Sequence, residues 1–345
     1  MGIPFVRWAH DRHRLMMVGA AVILMSAGIY WSAIRSTRPS DASPATKITI
    51  ANFVYTGNCP LLAADAKGYF AQEGVDATVN TYSSGKLALD AVFNGKADLG
   101  ISGDLPVMFS VMNGRPIVVV ANMAKAENDV AVVARRSSGI NQPSDLKAKR
   151  IGVPTGTAGH YYLDALLIHH HLSIDDVQVV DLGTDQMAAA MGKGVIDAAS
   201  TWEPYVGAIQ NQLGSDGVVF PAGEIYKPTM NVCGTAQYVK THATALPPVI
   251  RALAAGASYC SAHPDDARLL VATTYHLDPD TLKASWPDFR FRVSLDQALL
   301  TALEDETRWA AKNRLAARSD MPNYLDHLYL DAMQATFPKA ITVIH

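Results

Sequence analysis

The sequence predicts a two-lobed α/β protein in which each lobe contains a central sheet flanked by helices. One observation is the β-α-β-α-β alternation that starts at residue 47, since this order is typical of parallel sheets with helices on their faces. The other is an approximate internal repeat at an offset of 99 residues, which predicts that equivalent loops face each other across a cleft. Its matched pairs are Val54/Val153, Thr56/Thr155, Gly57/Gly156, Gly95/Gly194, Asp98/Asp197, Ser102/Thr201 and Asp104/Glu203.

Length and composition are those of an ordinary globular protein with ample core. The chain has 345 residues, of which 49% are hydrophobic and 18% are charged, so two compact domains are possible and a disordered chain is excluded. The formal net charge of −3 gives no support to a nucleic-acid partner.

The N-terminal segment stands apart from the rest of the chain. Residues 15–34 contain no charged side chain and follow Arg7, Arg12 and Arg14. A helix of this length spans the roughly 30 Å of a bilayer's hydrocarbon core. We therefore predict a short cytoplasmic segment at 1–14, a transmembrane anchor at 15–34 and a Pro/Ser-rich tether at 35–46. The alternative is a long cleavable signal peptide, and in both cases the bulk of the chain is exported.

Local patterns predict the elements of the first lobe. Residues 47–54 alternate and are rich in β-branched side chains, which is typical of a strand. A helix is predicted at 61–67, where a proline precedes it and a glycine ends it. An i, i+3, i+4 pattern of apolar residues from Leu89 predicts another helix before Gly95. Further strands are predicted at 75–81, 97–101, 117–123 and 129–135, and a further helix from about residue 106.

The second lobe repeats this theme around a Gly-rich turn at 155–159. Strands are predicted at 150–153, 177–181, 195–199 and 218–220, and helices at 160–169 and 187–191. A strand at 230–239 carries the chain back, and residues 246–337 are predicted to be mostly helical, without a catalytic constellation. The predicted division places residues 47–131 and 234–345 in the first lobe and residues 132–233 in the second.

Four loops follow predicted strands, at the sheet edge where open α/β proteins bind ligands. They are rich in Ser, Thr and Gly, and each precedes a predicted helix whose free N–H groups and dipole attract anions. The alternative is that these side chains only cap their helices. The loops comprise residues 56–59, 83–86, 102–104 and 155–157.

Three larger side chains stand at the ends of these strands. Asp104 and Glu203 both directly precede a predicted helix, so each either caps that helix or accepts hydrogen bonds from a ligand's hydroxyl or ammonium group. Trp202 lies where a strand meets a loop. There its ring is predicted to form one wall of the ligand site, and ordinary core packing is the alternative.

Other candidate sites are weaker. His169, His170 and His171 are consecutive, so they point in different directions from a helix, which favours a solvated helix end over a metal site. There is no Gly-x-Ser-x-Gly elbow and no Walker loop. We therefore expect no catalytic residue, metal or cofactor. The three cysteines, Cys59, Cys233 and Cys260, allow either one disulfide with a spare thiol or three buried thiols.

Four motifs occur in order between residues 48 and 263. They are Lys67-Gly68-Tyr69-Phe70-Ala71-Gln72-Glu73-Gly74-Val75 after Leu61, Gly95-Lys96-Ala97-Asp98-Leu99-Gly100, Ser144-Asp145-Leu146-Lys147 with Arg150-Ile151-Gly152-Val153, and Asp197 with Trp202-Glu203-Pro204. In this combination the chain resembles the periplasmic solute-binding components of nitrate, alkanesulfonate and taurine ABC importers, an NMT-like family.

The resemblance implies a type II periplasmic binding protein fold, with two lobes joined by two crossing strands and a ligand enclosed between them. It also implies delivery of the ligand to a membrane permease and its ATPase. Cysteine at position 59 and the membrane segment depart from the family pattern. The pocket positions implied by the resemblance are Asn58, Cys59, Ser84, Gly85, Ser102, Gly103, Asp104, Thr155, Gly156, Thr157, Trp202 and Glu203.

We therefore predict a monomeric solute-binding protein in the periplasm, held at the inner membrane by residues 15–34. Its expected ligand is a small organic acid, a sulfonate or related anion. Helix starts beside two carboxylates fit an acid that also carries a hydroxyl or amine. The alternatives are an enzyme on the same scaffold, similar to thiamine-pyrimidine synthases, and a membrane-anchored ligand sensor. Because the repeat diverges at Gly103 and Trp202, ligand choice is expected to depend on that position.

Overall fold

A computed structural model describes residues 45–344. In this range the chain forms eleven strands and twelve α-helices. The strands are β1 (Thr46–Phe53), β2 (Val75–Tyr82), β3 (Leu99–Gly103), β4 (Ile117–Ala126), β5 (Val130–Arg135), β6 (Arg150–Val153), β7 (Gln178–Asp181), β8 (Ala198–Trp202), β9 (Gly217–Pro221), β10 (Thr229–Thr235) and β11 (Phe289–Ser294). The helices are α1 (Cys59–Ala66), α2 (Tyr69–Gln72), α3 (Gly85–Phe93), α4 (Asp104–Met112), α5 (Ala158–His169), α6 (Thr184–Gly192), α7 (Tyr205–Leu213), α8 (Ala236–Thr241), α9 (Leu246–Ala262), α10 (Pro264–Tyr275), α11 (Gln297–Lys312) and α12 (Leu330–Thr336).

The strands form two sheets, and we call the part built around each sheet a lobe. The first sheet has the order β11-β4-β10-β3-β1-β2, and the second has the order β7-β6-β8-β5-β9. In each sheet three parallel strands are followed by two strands joined by antiparallel pairing, so the two sheets share one arrangement. The first sheet carries β11 as an additional antiparallel strand at its edge. The chain crosses between the lobes twice, at residues 127–129 and 222–228.

The structure confirms the internal repeat. Strands β3 and β8 begin and end 99 residues apart, and so do helices α3 and α6. Gly95 and Gly194 end these two helices with φ near +66° and +65°, a conformation that glycine adopts without steric cost. The carboxylates of Asp98 and Asp197 each accept a backbone N–H from the neighbouring parallel strand, at 2.7 and 3.0 Å. These repeat residues therefore build the fold.

A disulfide settles the question of the cysteines. Cys59 at the start of α1 is bonded to Cys260 in α9, and Cys233 is a buried free thiol. The two helices approach closely, because a Cβ on Gly256 would lie only 2.0 Å from the carbonyl oxygen of Pro60. A glycine is therefore required where α9 crosses α1, and the disulfide ties the same pair of helices.

Some predicted elements differ from the observed ones. The strand predicted at 195–199 lies at Ala198–Trp202, and the strand predicted at 230–239 ends at Thr235, where α8 begins. The C-terminal third, predicted to be mostly helical, also supplies β11, which pairs with β4 at the edge of the first sheet. This pairing joins residues far apart in the chain. The predicted lobe boundaries at 131/132 and 233/234 fall inside β5 and β10.

The predicted membrane segment at 15–34, with its flanking segments at 1–14 and 35–44, lies outside the described residues. Among residues 45–344, every helix is too short or too polar to cross a bilayer.

Candidate functional site

A small cavity lies between the two lobes, at the carboxyl ends of the parallel strands. Its volume is about 40 Å³. Phe53, Gly103 and Trp202 enter it from the ends of β1, β3 and β8, where ligands bind in open α/β sheets. Its lining residues are Phe53, Tyr55, Ser84, Gly85, Lys86, Gly103, Asp104, Pro106, Asp129, Val130, Thr157, Ala158, Trp202, Pro228 and Met230.

The structure brings half of the predicted site residues to this cavity. Two others, Thr155 and Gly156, line a wider cleft of about 410 Å³ that shares Lys86 and Pro106 with the cavity. The six at the cavity are Ser84, Gly85, Gly103, Asp104, Thr157 and Trp202.

Two helix N-termini point their polar ends at the cavity. Ser84 caps α3 by accepting the Leu87 N–H at 3.3 Å, so the predicted capping role holds for this residue. Thr157 instead donates its hydroxyl to the Pro154 carbonyl at 2.6 Å and leaves the first N–H groups of α5 without a side-chain cap. A Cβ on Gly85 would lie 2.8 Å from the Ser102 hydroxyl, so glycine allows α3 to start against β3. Both N-termini can stabilise an anion.

Asp104 is the most heavily bonded carboxyl group at the cavity. It is fully buried and accepts hydrogen bonds from the Tyr226 hydroxyl, from the Thr229 N–H at 3.0 Å and from the Thr229 hydroxyl at 3.3 Å. Burial raises its pKa, and the Tyr226 hydrogen bond opposes that shift. Asp104 therefore ties the start of α4 to the second crossing segment and to β10. It does more than cap a helix.

A second carboxyl group, missed by sequence reasoning, lies on the first crossing segment. Asp129 lines the cavity, accepts the Tyr55 hydroxyl on one oxygen, and has no partner for the other oxygen among the described residues. Burial raises the pKa of Asp129 to about 7. The second crossing segment meets the end of β4 just before the first one, since the Ala126 N–H donates to the Pro228 carbonyl at 3.1 Å.

Glu203 lies behind the cavity wall and is 7% exposed. It accepts the Gly207 N–H at 3.1 Å, so it caps α7 as its alternative role predicted. Burial raises its pKa to about 7, and the charge of Asp129 contributes to the shift. Glu203 is thus a buried carboxyl group that lies near Asp129, and the negative charge of its ionised form is poorly compensated.

Glu306 of α11 adds a further buried carboxyl group from the C-terminal third, where no functional constellation was predicted. It is 1% exposed, and within residues 45–344 neither of its oxygens accepts a hydrogen bond. Burial raises its pKa well above the usual range, and the nearby charge of Asp104 adds to this effect. Three residues later, the Trp309 Nε1 donates to Asp164 Oδ2 at 2.7 Å, which joins α11 to α5.

Trp202 lines the cavity, and its contact with a ligand stays a prediction. Its ring meets Tyr205 edge-to-face with centroids 6.3 Å apart, and its buried Nε1–H has no partner among the described residues. The buried hydroxyls of Ser102 and Thr201 also lack partners there. Because a buried polar group without a partner costs about 1–3 kcal/mol, these groups favour a ligand that hydrogen-bonds to them.

Asn58 and Cys59 lie away from the cavity, contrary to the prediction. Asn58 Nδ2 donates to Asn52 Oδ1 and to the Phe53 carbonyl, both at 2.8 Å, within a buried network. The Cys59 sulfur is bonded to Cys260, and the residue is fully buried outside the cavity lining. Pro60 lies in the first turn of α1, directly after Cys59, and the disulfide lies at this N-terminal end of the helix.

The consecutive histidines end α5, and His169 stacks edge-to-face on His170 with centroids 5.2 Å apart. Within residues 45–344, no cluster of three or more His, Cys, Asp or Glu residues is arranged to hold a metal ion.

Comparison with known proteins identifies related sequences. A family described as NMT1/THI5 like matches residues 56–267. The taurine-binding periplasmic protein of Escherichia coli is 31% identical over 193 residues, covering 54% of this chain and 58% of that protein. The 4-amino-5-hydroxymethyl-2-methylpyrimidine phosphate synthase THI12 of Saccharomyces cerevisiae is 28% identical over 140 residues, covering 40% of each. The chain spans about half the length of the curated relatives it matches.

Solved structures show the same fold. The periplasmic aliphatic sulphonate binding protein SsuA from Escherichia coli superposes with a TM-score of 0.72 at 17% identity, covering 83% of this chain and 98% of that one. The predicted two-lobed periplasmic binding protein fold is thereby confirmed.

Proposed function

The chain belongs to the NMT1/THI5-like family, and from this membership we propose that it is the solute-binding component of an ABC importer. It captures a small acid that also carries an amine between its two lobes and delivers it to a membrane permease and ATPase. The observation that carries this proposal is the meeting of two helix N-termini and two buried carboxyl groups, Asp104 and Asp129, at one cavity.

The acid group belongs at the helix N-termini. The starts of α3 and α5 come from different lobes and both line the cavity, so an anion between them is stabilised by two dipoles and by free N–H groups. Lys86 is the one cationic side chain among the described residues that line the cavity, and it lies beside the start of α3. A sulfonate placed there bridges both lobes.

The amine belongs at the carboxyl groups. Asp129 lines the cavity and has one oxygen without a partner among the described residues, and burial raises its pKa to about 7. Burial also raises the pKa of Glu203, behind the cavity wall, to about 7. A ligand ammonium supplies the missing positive charge and favours their ionised forms. Taurine carries both groups, and the similarity to a taurine-binding protein supports this ligand class.

Binding requires the lobes to move apart and close again. A cavity of about 40 Å³ holds about three water molecules, which is less than an aminosulfonate needs. The chain crosses between the lobes at residues 127–129 and 222–228, and these segments carry Asp129 and Tyr226. Ligand contacts made in both lobes favour the closed state by their differential affinity for it.

We infer binding without chemical conversion. The yeast pyrimidine phosphate synthase among the relatives motivates the enzymatic alternative, and taurine-binding and sulfonate-binding proteins support the transport role. In ligand recovered after long incubation, proton NMR should detect only the starting compound, and a new product would favour the enzyme.

We also propose that the protein is a monomer held at the periplasmic face of the inner membrane by residues 15–34, supported by their charge-free composition and by the periplasmic location of its taurine-binding relative. Intact mass and size-exclusion chromatography of protein from the membrane fraction test this. A mass that lacks residues 1–34 would show a cleaved signal.

Three ligands that share a two-carbon chain test the binding proposal by calorimetry. Taurine has an acid and an amine, ethanesulfonate lacks the amine, and ethylamine lacks the acid. We expect taurine to bind at least about tenfold more tightly than either partial ligand, since each end contributes a charge-assisted contact. Equal affinity for ethanesulfonate would remove the carboxyl groups from ligand recognition. A lack of binding by every acidic ligand in a wider screen would contradict the proposal.

A further inference from the structure

We propose that a groove in the first lobe binds an aromatic acid that also carries a hydroxyl or amino donor. The groove has a volume of about 600 Å³ and lies between the β4–β11 strands and the corner where α9 meets α10. It shares no lining residue with the interlobe cavity. We call it the β11 groove. Its lining residues are Asn122, Lys125, Cys260, Ser261, Pro264, Trp286, Pro287, Phe289, Arg290, Phe291, Arg292, Ser294 and Asp296.

One cation in the β11 groove is left without a counter-charge. Lys125 pairs with Asp296, and Arg290 pairs with Glu127 at 3.5 Å. The exposed guanidinium of Arg292 has neither an ion pair nor a hydrogen bond within residues 45–344. A planar guanidinium of this kind binds a carboxylate through two parallel hydrogen bonds. The groove therefore has a place for one acid group.

Aromatic rings form the wall beside that cation. The rings of Trp286 and Phe291 have centroids 5.3 Å apart, and Phe289 stacks on Phe291 at 6.0 Å. Trp286 and Phe289 are 7% and 5% exposed, so their positions are set by packing, while Phe291 is partly open to solvent. Aromatic rings that line the same groove as a guanidinium suit an aromatic acid better than a small inorganic anion.

Asn122 in the groove offers a hydrogen-bond acceptor, whereas the Arg292 guanidinium offers donors. Its side chain is 1% exposed, and its Nδ2 donates to Asn231 Oδ1 at 3.4 Å, which orients the amide. Its Oδ1 is buried and has no partner among the described residues. An unpartnered buried acceptor favours a ligand that donates a hydrogen bond, so a hydroxyl or amino group on the aromatic ring fits here.

Irregular strand pairing coincides with these residues. The β11–β4 ladder shifts register between Phe291 and Ser294, so Arg292 lies outside the regular pairing. On the other side of β4, the ladder with β10 shifts between Met230 and Asn231, next to Asn122. Bulges of this kind redirect side chains and occur beside binding sites. They turn an otherwise flat sheet edge into a shaped groove.

Calorimetric titration with 6-hydroxy-2-naphthoate tests the proposal. This probe has the ring, the carboxylate and the donor, while 2-naphthoate lacks the hydroxyl and 2-naphthol lacks the acid. We expect saturable binding of the full probe, weaker binding of 2-naphthoate, and binding at least about tenfold weaker for 2-naphthol because the guanidinium contact is lost. Equal binding of 2-naphthol would overturn the proposal.

Charge reversal locates the probe. Arg292→Glu should weaken binding of 6-hydroxy-2-naphthoate by at least about tenfold, since it replaces attraction by repulsion. Lys240→Glu makes the same change in net charge at an exposed position on α8, and Trp202→Ala alters the interlobe cavity; both should leave the affinity unchanged. Equal unfolding midpoints for Arg292→Glu and wild type confirm that folding is intact.

Three results would overturn the assignment. One is the absence of saturable binding to the wild-type protein. Another is loss of binding in Trp202→Ala, which would place the probe in the interlobe cavity. The last is an equal effect of Arg292→Glu and Lys240→Glu, which would show general electrostatic attraction instead of a site.

Discussion

The N-termini of α1 and α5 are equivalent in the internal repeat, yet one reaches the ligand cavity and the other does not. α1 begins at Cys59, and α5 begins 99 residues later at Ala158. Thr157 and Ala158 line the cavity, whereas Cys59 is bonded to Cys260. The comparison teaches that a repeated fold does not repeat its site. A covalent or hydrogen-bonded partner that is close in space determines which helix N-terminus remains open to a ligand.

The carboxyl groups at equivalent positions differ in the same way. Asp104 accepts three hydrogen bonds from Tyr226 and Thr229, while Glu203 accepts one from Gly207. Their neighbours in the repeat are Gly103 and Trp202, the smallest and the largest side chains available. The first lobe therefore holds a rigid carboxylate, and the second holds a less compensated carboxyl group beside a large ring.

The largest expected effect comes from removing the disulfide at the N-terminus of α1. Cys59→Ala with Cys260→Ala makes the start of α1 resemble that of α5. We expect the free energy of unfolding to fall by about 2–5 kcal/mol, as for other native disulfides that close long loops. Urea unfolding measures the loss, and calorimetry should show an unchanged taurine affinity. Reductant should destabilise wild type but not the double variant. A large loss of affinity in the folded variant would place α1 in the site after all.

The next effect concerns the position where the repeat diverges. Trp202→Ala removes the ring from the cavity wall and is expected to weaken taurine binding by about 2 kcal/mol, or about thirtyfold. The matched change in the other lobe, Gly103→Ala, should have little effect, because a Cβ there comes no closer than 3.9 Å to another atom. Calorimetry at one pH compares the two variants. Equal effects would contradict the asymmetry of the site.

The smallest expected effect concerns the two carboxyl groups and depends on pH. Burial raises the pKa of Glu203 to about 7 from a usual value of 4.5. Because the folded protein holds this proton more tightly than the unfolded chain, the contribution favours folding below about pH 4.5 and is lost as the pH rises toward 7. Glu203→Gln should therefore increase the free energy of unfolding at pH 8 by on the order of 1 kcal/mol.

The equivalent substitution in the first lobe, Asp104→Asn, is expected to lower the free energy of unfolding instead of raising it. Asp104→Asn places an amide where Thr229 donates twice and Tyr226 donates once, so at least one donor loses its acceptor. We expect it to destabilise the fold by about 1 kcal/mol at pH 4, and by less as the pH rises, because burial also raises the pKa of Asp104. Urea unfolding from pH 4 to 8 compares both variants. A Glu203→Gln curve parallel to that of wild type would show that Glu203 does not titrate in this range.

Much of the fold could be predicted because it depends on local patterns. Strand β1 lies within one residue of the segment where alternation predicted it, and the repeat predicted that β3 and β8 are equivalent. Strand β11 (FRFRVS) alternates as well and could have been found from that pattern, but its pairing with β4 depends on residues over 150 positions away. Six of the twelve predicted site residues line the cavity because strand ends in α/β sheets meet at one edge.

Local patterns specify the two-lobed fold and the strand ends at which the cavity forms, because period and turn chemistry act over a few residues. Tertiary packing sets which groups line that cavity and what surrounds them. Asp129 lines it from the first crossing segment, Tyr226 and Glu306 lie against Asp104 from the second crossing segment and from α11, and Cys59 is bonded to Cys260. Burial and hydrogen bonding depend on neighbours that are distant in the chain, so neither the partners nor the raised pKa values are encoded in any local motif.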